Sequence, residues 1–178
     1  PIYTERVDTL FVAHAAECRV GEPSLAITVT DPEPVEGALV CAQKDDEVYA
    51  YAVTGPAGEA VLPIEARTPA ALTLTATASN HLPYEATVDV LPATGAVLTL
   101  DSWTVDDDGS GASDGNGNGV VEAGETVELD VVLANDGVTA ASAGATLSTS
   151  DPHVIIEDGA ASTGTVGPGA TVSIPAAF

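Results

Sequence analysis

The sequence predicts an all-β protein built from two tandem β-sandwich modules. Short runs with apolar residues at alternate positions recur along the 178 residues, and no useful stretch has the 3.6-residue period of a helix. Gly, Pro, Asn or Asp separate the runs, and these residues allow a chain to reverse. Seven runs fall within roughly the first 90 residues, a density typical of an immunoglobulin-like sandwich. We therefore expect two immunoglobulin-like modules. The second has fewer predicted strands, so it is either a complete or a truncated sandwich.

The first module is predicted to span residues 1–92. Its clearest strand has apolar residues at 72, 74 and 76, alternating with threonines at 73, 75 and 77. This period of two places one set in a core and the other in solvent. The predicted strands of this module are Thr9–Ala13, Ser24–Thr30, Gly37–Gln43, Glu47–Thr54, Glu59–Ile64, Ala71–Ala78 and Tyr84–Val90.

The pattern breaks at Leu91–Gly95, and a second module is predicted over residues 93–178. Asn135-Asp136-Gly137 is a strong signal for a hairpin turn. Because the sequence stops at Phe178 inside an apolar stretch, we expect it to come from a longer chain. The predicted strands of this module are Ala96–Val105, Thr126–Ala134, Ala143–Thr149, His153–Glu157, Ala161–Val166 and Ala170–Ile174.

The chain is strongly acidic, with 27 Asp and Glu against four Lys and Arg, a formal charge of −23, and no Lys or Arg after Arg67. Nucleic acids and anionic membranes are bound through clustered Lys and Arg, so neither is an expected partner. No apolar run approaches the roughly 20 residues of a membrane-spanning helix. The charge favours attraction of cations; the alternative is the solvation shell of a protein adapted to high salt.

Residues 114–125 match the twelve-residue calcium-loop template at every specified position. Gly119 stands at position 6, where the chain of such a loop turns sharply. Ca²⁺ takes six to eight oxygen ligands and tolerates irregular geometry, which suits donors at alternate positions of one short segment. The predicted ligands are Asp114, Asn116, Asn118, the backbone carbonyl of Val120, Glu122 and Glu125.

Asp106 and Asp108 begin a second copy of this pattern that lacks the closing glutamate. They are expected either to complete the first site or to form a minor one. Two asparagines lower the ligand charge, so we expect a Kd of about 10⁻⁴ to 10⁻³ M. The flanking runs are strand-like, whereas calcium sensors flank the loop with helices, so the expected role of the ion is structural. A flexible acidic linker without an ion is the alternative.

Cys18 and Cys41 allow one disulfide, which an exported protein would favour. In the alternative, Cys41 is a small residue of the core. His14, His81 and His153 have no partner at metal-binding spacing and are predicted to be structural.

Nothing in the sequence resembles a nucleophile on a strand-to-helix turn with an oxyanion hole, so catalysis is not expected. Tyr49 and Tyr51 share one face of a predicted strand, where they either pack in the core or at an edge, or stack on a sugar.

Several segments of the first module resemble the immunoglobulin-like domain that follows the catalytic domain in gingipain-type cysteine peptidases. Residues 114–125, followed by Thr126–Leu129 and Asn135–Gly137, resemble the calcium-loop β-sandwiches of large secreted bacterial proteins. The resemblance implies an extracellular location and a peptidase domain elsewhere in the parent chain, with no catalytic residue in this segment. The segments that carry the first resemblance are Pro1–Thr4, Val20–Glu22, Ile27–Asp31, Val35–Val40 and Leu72–Tyr84.

The expected function is therefore that of non-catalytic, calcium-stabilised accessory modules of a secreted or cell-surface bacterial protein. Their expected partners are neighbouring domains of a larger chain. One alternative is a subunit of an extracellular fibre or adhesive assembly, joined by strand exchange at open sheet edges. A second alternative is a cysteine hydrolase, which would need a reactive thiol.

Overall fold

A computed structural model describes residues 7–178, and every regular element in that range is a β-strand. This confirms the predicted all-β class, and no helix of the described range is long and apolar enough to cross a membrane. Pro1–Thr4 and Arg6 lie outside the described residues. The strands are β1 Asp8–Thr9, β2 Phe11–His14, β3 Glu17–Arg19, β4 Ser24–Asp31, β5 Glu33–Pro34, β6 Leu39–Lys44, β7 Val48–Val53, β8 Glu59–Pro63, β9 Ala70–Thr77, β10 His81–Leu82, β11 Tyr84–Leu91, β12 Leu98–Asp106, β13 Glu128–Asn135, β14 Gly144–Thr146, β15 Ala160–Ser162 and β16 Thr171–Ile174.

The chain divides into two compact units, the first ending at Ala93 and the second beginning at Thr94. In the first unit, a five-stranded sheet has the order β3-β11-β9-β6-β7. A second sheet is built around β4, with which β2, β5 and β8 all pair. The short strands β1 and β10 pair in parallel.

The core of the first unit follows the period of two that the sequence predicts. In β9, Leu72, Leu74 and Ala76 are buried, and Leu72 and Leu74 are among the largest fully buried side chains of the described residues. Burying a side chain of this size stabilises a fold by about 1.5–3 kcal/mol. The other largest fully buried apolar side chains of this unit are Ile27, Val29, Val40, Leu62, Ile64 and Val88.

The second unit has a smaller core. Strand β13 is the centre of a three-stranded sheet, with β12 on one side and β16 on the other. Val131, Leu133 and Ala177 form its buried apolar cluster, and Ile174 and Phe178 pack against that cluster. Strands β14 and β15 pair only with each other among the described strands. A core this small contributes limited stability, so the second unit depends on other interactions between its strands.

The predicted strand at 153–157 is wrong. The chain turns there instead. The backbone N–H of His153 donates to the Asp151 side chain at 2.9 Å, and the backbone N–H of Val154 donates to the Asp151 carbonyl at 3.3 Å. Ile155 is 85% exposed. The β-branched run gives a strand-like pattern, but no strand of the described residues pairs with it.

The hairpin predicted at Asn135–Gly137 is also wrong, because β13 pairs with β12 and β16 and not with β14. Asn135 is fully buried and serves as a polar link within the unit. Its Oδ1 accepts from the backbone N–H of Val97 and Gly137, and its Nδ2 donates to two backbone carbonyls, those of Thr139 and Val166. A short polar side chain such as that of asparagine is common in turns. In this unit the side chain of Asn135 instead satisfies buried backbone groups.

Candidate metal centre

The segment matching the calcium-loop template joins β12 to β13, the central strand of the second unit. Its base is closed by an antiparallel bridge between Asp114 and Thr126, with backbone N–O distances of 2.7 and 3.2 Å. Gly119 has a φ of +75°, a conformation that glycine adopts at no steric cost. The first and last positions of the template are therefore brought close together, and the turn predicted at position 6 is present.

The buried side chain of Asp107 holds the loop to the end of β12. Asp107 is only 2% exposed. Its Oδ1 accepts from the backbone N–H of Gly119 at 3.0 Å, and its Oδ2 accepts from that of Asn118 at 3.1 Å. Its backbone carbonyl also accepts from the N–H of Gly117 at 3.0 Å. Charge-assisted bonds of this kind are among the stronger hydrogen bonds in proteins.

Sequence reasoning did not assign this role to Asp107. The residue lies before the template and between Asp106 and Asp108, which were the predicted additional ligands. Asp107 directly follows β12, and the only available signal was that a strand continued to this position would turn its side chain to the side opposite to that of its two neighbours.

Three of the predicted ligands converge on one point. Glu122 Oε2 accepts from Asn116 Nδ2 at 2.6 Å and from Asn118 Nδ2 at 3.0 Å. The three side chains occupy positions 3, 5 and 9 of the template and are exposed. Each asparagine Oδ1 accepts a backbone N–H two residues later, that of Asn118 or Val120, which fixes the side-chain orientation.

Glu125 adjoins this cluster, Val120 bonds to it through the backbone N–H that Asn118 Oδ1 accepts, and Asp114 bonds to the backbone of Thr126 instead. Glu125 Oε2 accepts from the backbone N–H of Glu122 at 3.1 Å. Asp114 is exposed at the base of the loop, and Val120 is 57% exposed.

Asp106 and Asp108 each accept a hydrogen bond from the backbone of their own segment. Asp106 Oδ1 accepts from the backbone N–H of Asp108 at 3.2 Å, and Asp108 Oδ1 accepts from that of Ser110 at 2.8 Å. The bonds from Ser110 hold the pKa of the Asp108 carboxyl below its usual value. These two side chains shape the start of the segment.

The second unit has no Lys or Arg, so no basic side chain of its own opposes the acids of this segment. The described residues contain no group of three or more His, Cys, Asp or Glu side chains already arranged to hold a metal ion. The loop thus supplies carboxylate and amide oxygens on a closed and anchored backbone, without a preformed cage. These donors are of the type that Ca²⁺ prefers. The acidic residues concerned are Asp106, Asp107, Asp108, Asp114, Glu122, Glu125 and Glu128.

The two cysteines are free, so the disulfide considered from the sequence is not formed. Cys18 lies in β3 and Cys41 in β6, and two strands of the same sheet separate them. Three strand spacings are about 14 Å, beyond the reach of a disulfide. Cys18 is buried, and its burial, followed by the negative charge of Glu22, raises the pKa of its thiol.

Two histidines make polar contacts within the first unit. His14 Nε2 lies 3.0 Å from the hydroxyl of Tyr84. His81 Nδ1 lies 2.7 Å from the carbonyl of Ser79, and its Nε2 lies 2.9 Å from Asp31 Oδ2. The bond to Ser79 and the nearby carboxylates raise the pKa of His81.

A buried ion pair also lies in the first unit. Lys44 is 3% exposed and bonds to the carboxylate of Glu47 and, at 2.8 Å, to Thr68 Oγ1. Burial alone would raise the pKa of Glu47, but the bonds from Lys44, the backbone N–H of Arg67 and Thr68 together lower it. Every charged atom here has a partner, which is typical of a structural ion pair.

No family model matches the sequence, and no curated protein matches it. Among solved structures, the chain is similar to one described as a protease, at 21% identity and a TM-score of 0.40. It is also similar to the arginine-specific cysteine proteinase gingipain R, at 18% identity and a TM-score of 0.39. Each match covers 47% of this chain and 18% of the other. The link to gingipain-type proteins is thus a weak structural likeness, and it carries no inference about activity.

Proposed function

We propose that this chain is a non-catalytic, calcium-stabilised pair of β-sandwich modules from a secreted or cell-surface bacterial protein. The observation that carries the proposal is the loop at 114–125, closed by the Asp114–Thr126 bridge and anchored by Asp107. It concentrates acidic and amide side chains in a unit without Lys or Arg.

Calcium suits this loop because the donors are numerous, oxygen-based and carried by a short segment rich in glycine. Asn116 and Asn118 donate their amide nitrogens to Glu122. A divalent cation would take over the neutralisation of that carboxylate and release both amides to offer oxygen instead. Mg²⁺ demands near-ideal octahedral geometry and dehydrates reluctantly, so the exposed and irregular loop favours Ca²⁺.

A structural role follows from where the loop is attached. It connects β12 with β13, and these strands pair along most of their length. An ion that binds only the folded loop would stabilise that pairing, by roughly 1.4 kcal/mol at a calcium concentration ten times Kd. This is a substantial share of the stability of a unit with so small a core.

The raised pKa of the Cys18 thiol argues against Cys18 as a nucleophile, because the thiolate is the reactive form of cysteine. The proposed partners are neighbouring domains of a larger chain, and the proposed location is extracellular, where millimolar calcium is available to a weak site.

A calcium titration followed by amide chemical shifts tests the proposal. We expect saturable shifts confined to about residues 106–128, with a Kd of about 10⁻⁴ to 10⁻³ M and no equal response to Mg²⁺. The double variant Asp114→Asn/Glu125→Gln should abolish them. Asp151→Asn/Glu157→Gln makes the same change of charge outside the loop and should not.

Small shifts spread over acidic residues of both units, with equal sensitivity to the two double variants, would contradict the proposal. That pattern would indicate diffuse attraction of cations to a highly charged chain.

A further inference from the structure

Strand β7 is an open edge of the first unit's five-stranded sheet. It reads Val-Tyr-Ala-Tyr-Ala-Val over Val48–Val53 and pairs with β6. No backbone hydrogen bond joins it to another strand of the described residues. Three side chains of its outer face are largely exposed: Tyr49 by 74%, Tyr51 by 66% and Val53 by 60%.

The register with β6 shows which backbone groups of β7 face away from the sheet. Alternate residues of an antiparallel strand direct their N–H and C=O groups to opposite sides. Thr54, which follows β7, bonds back toward β6 through Ala38 and Gly37, both at 2.9 Å. Residues 48, 50 and 52 share that direction, so Tyr49, Tyr51 and Val53 turn their backbone groups to the open side.

This edge lacks the features that keep other edges from pairing. Charged residues, prolines, bulges and short length are the usual protections of an edge strand. Strand β3 has three residues and carries Glu17 and Arg19, and β8 carries Glu59 and Pro63. In the second unit, β12 carries acidic residues and a register irregularity after Leu100. Among the described strands, β7 is the longest edge without a charge.

We infer that β7 is a self-association edge, at which a second copy of this chain adds its own β7 in antiparallel pairing. Because a symmetric dimer contacts itself through one patch, each residue must suit its partner in the two-fold register. Placing Tyr51 opposite Tyr51 sets Tyr49 opposite Val53. Every outward-facing backbone group of β7 then finds a partner, giving about six hydrogen bonds.

The same register favours the side chains on the outer face. Tyr51 of one copy lies beside Tyr51 of the other, flanked on each side by a tyrosine and a valine, and cross-strand aromatic pairs stabilise sheets. The acidic turn Asp45–Asp46 of one copy falls beside the uncharged Gly55–Ala57 turn of the other. No acidic side chain is therefore placed directly opposite another along the seam.

Charge explains why the partner would meet this face of the molecule. Most surfaces of a chain with a net charge of −23 repel a second copy. The outer face of β7 and the two strands beside it carries no charge. Its residues, in register, are Tyr49, Tyr51 and Val53, then Leu39, Cys41 and Gln43, then Thr73, Thr75 and Thr77.

The inference predicts that salt strengthens self-association. The seam contains no ion pair to be screened, whereas repulsion between the two acidic chains is screened as the Debye length falls from about 8 Å at 0.15 M salt to about 3 Å at 1 M. This edge lies in the first unit, so the inference is independent of the calcium site.

Sedimentation equilibrium of the whole chain in EGTA tests the inference. From micromolar to millimolar concentration, we expect the mass to rise from that of the 17.7 kDa monomer toward twice that value, and to rise further in 1 M NaCl than in 0.15 M. Val53→Lys should weaken dimerisation at least tenfold. Val61→Lys is the matched control, because Val61 is equally exposed, at 60%, on β8.

Amide hydrogen exchange on the wild-type chain gives a second measurement that requires no variant. The N–H groups of Tyr49, Tyr51 and Val53 should become protected as concentration rises. A monomer at every concentration and salt would overturn the inference. So would a dimer that both lysine variants weaken equally, or one without protection in β7, since each would place the contact elsewhere.

Discussion

At the scale of single residues, the most informative side chain of the candidate metal centre is one that the template does not contain. Asp107 is buried at the end of β12 and accepts two backbone N–H groups from the loop. A template that begins at Asp114 specifies which residues meet an ion but not which residue holds the loop against the sheet. The anchoring role of Asp107 is recognisable only in the structure, which shows which of the neighbouring carboxylates faces inward.

Replacing Asp107 with Asn should destabilise the second unit by about 1–3 kcal/mol, because an amide presents one acceptor where the carboxylate presents two and leaves a donor without a partner. Urea unfolding in EGTA measures this loss. Asp108→Asn removes the same charge from an exposed neighbour and should change stability by less than about 0.5 kcal/mol. Equal effects of the two substitutions would show that charge, rather than the buried bonds, is responsible.

His81 gives the first unit a pH-dependent contribution to stability. Its pKa is raised by the bond to the Ser79 carbonyl and by the bond to Asp31, with Asp8 also contributing. A histidine whose pKa is higher in the folded than in the unfolded state stabilises the fold when it is protonated. This contribution to the unfolding free energy is fully present below the unfolded pKa of about 6.5, and it is lost as the pH rises through the folded pKa.

The unfolding free energy of the wild type relative to His81→Gln should therefore be greatest near pH 5–6 and should decline above neutrality. The exposed His153 allows the control His153→Gln. A difference between wild type and His81→Gln that grows with rising pH would contradict the assigned ion pair with Asp31.

At the scale of elements, the loop depends on a close contact between its backbone and Asp107. This contact is made at a position where the sequence template allows any residue. Gly115 occupies position 2, and a Cβ there would lie 2.7 Å from both the Cβ and the carbonyl oxygen of Asp107. An alanine at this position must therefore push the anchor away from the loop.

Gly115→Ala should destabilise the second unit by about 1–3 kcal/mol and weaken calcium binding, since overpacking displaces backbone. Thermal unfolding and the calcium titration measure the two effects. Gly164→Ala is the control, because a Cβ there meets no atom within 4 Å. If Gly115→Ala leaves both properties unchanged, the Asp107 contact is not needed to shape the loop.

Strands with regular alternation could be predicted from sequence, and those without it could not. Strand β9 alternates buried and exposed residues as predicted, because its apolar positions form one face of a sandwich. The run at 153–157 has the same local chemistry but no neighbouring strand. Short strands such as β3 carry too few residues to show a period. A strand becomes stable through its partners, and the partners are set by the whole fold.

At the scale of the whole molecule, charge and core size are distributed unequally along the chain. All the Lys and Arg residues lie in the first 67 positions, and the largest fully buried apolar side chains belong mainly to the first unit. The second unit combines a small core with unopposed acids, the condition under which a bound cation contributes most to folding. The composition predicted attraction for cations, but the three-dimensional arrangement was needed to locate the anchored loop.

The second unit contains a fluorescent reporter, a tryptophan, that the first unit lacks. Trp103 is its single tryptophan and lies in β12, where it is opposite Val131 of β13, whereas all four tyrosines are in the first 93 residues. Tryptophan fluorescence therefore follows the second unit, and near-ultraviolet circular dichroism of tyrosine follows the first.

Thermal unfolding monitored at Trp103, in EGTA and then in millimolar Ca²⁺ with Mg²⁺ as the control, is the most direct test of the calcium-stabilised account. The account predicts that Ca²⁺ raises the Tm of the tryptophan transition by several degrees, with a smaller effect of Mg²⁺ and little change in the tyrosine transition. An unchanged tryptophan transition in Ca²⁺, or equal shifts of both transitions with both ions, would contradict it.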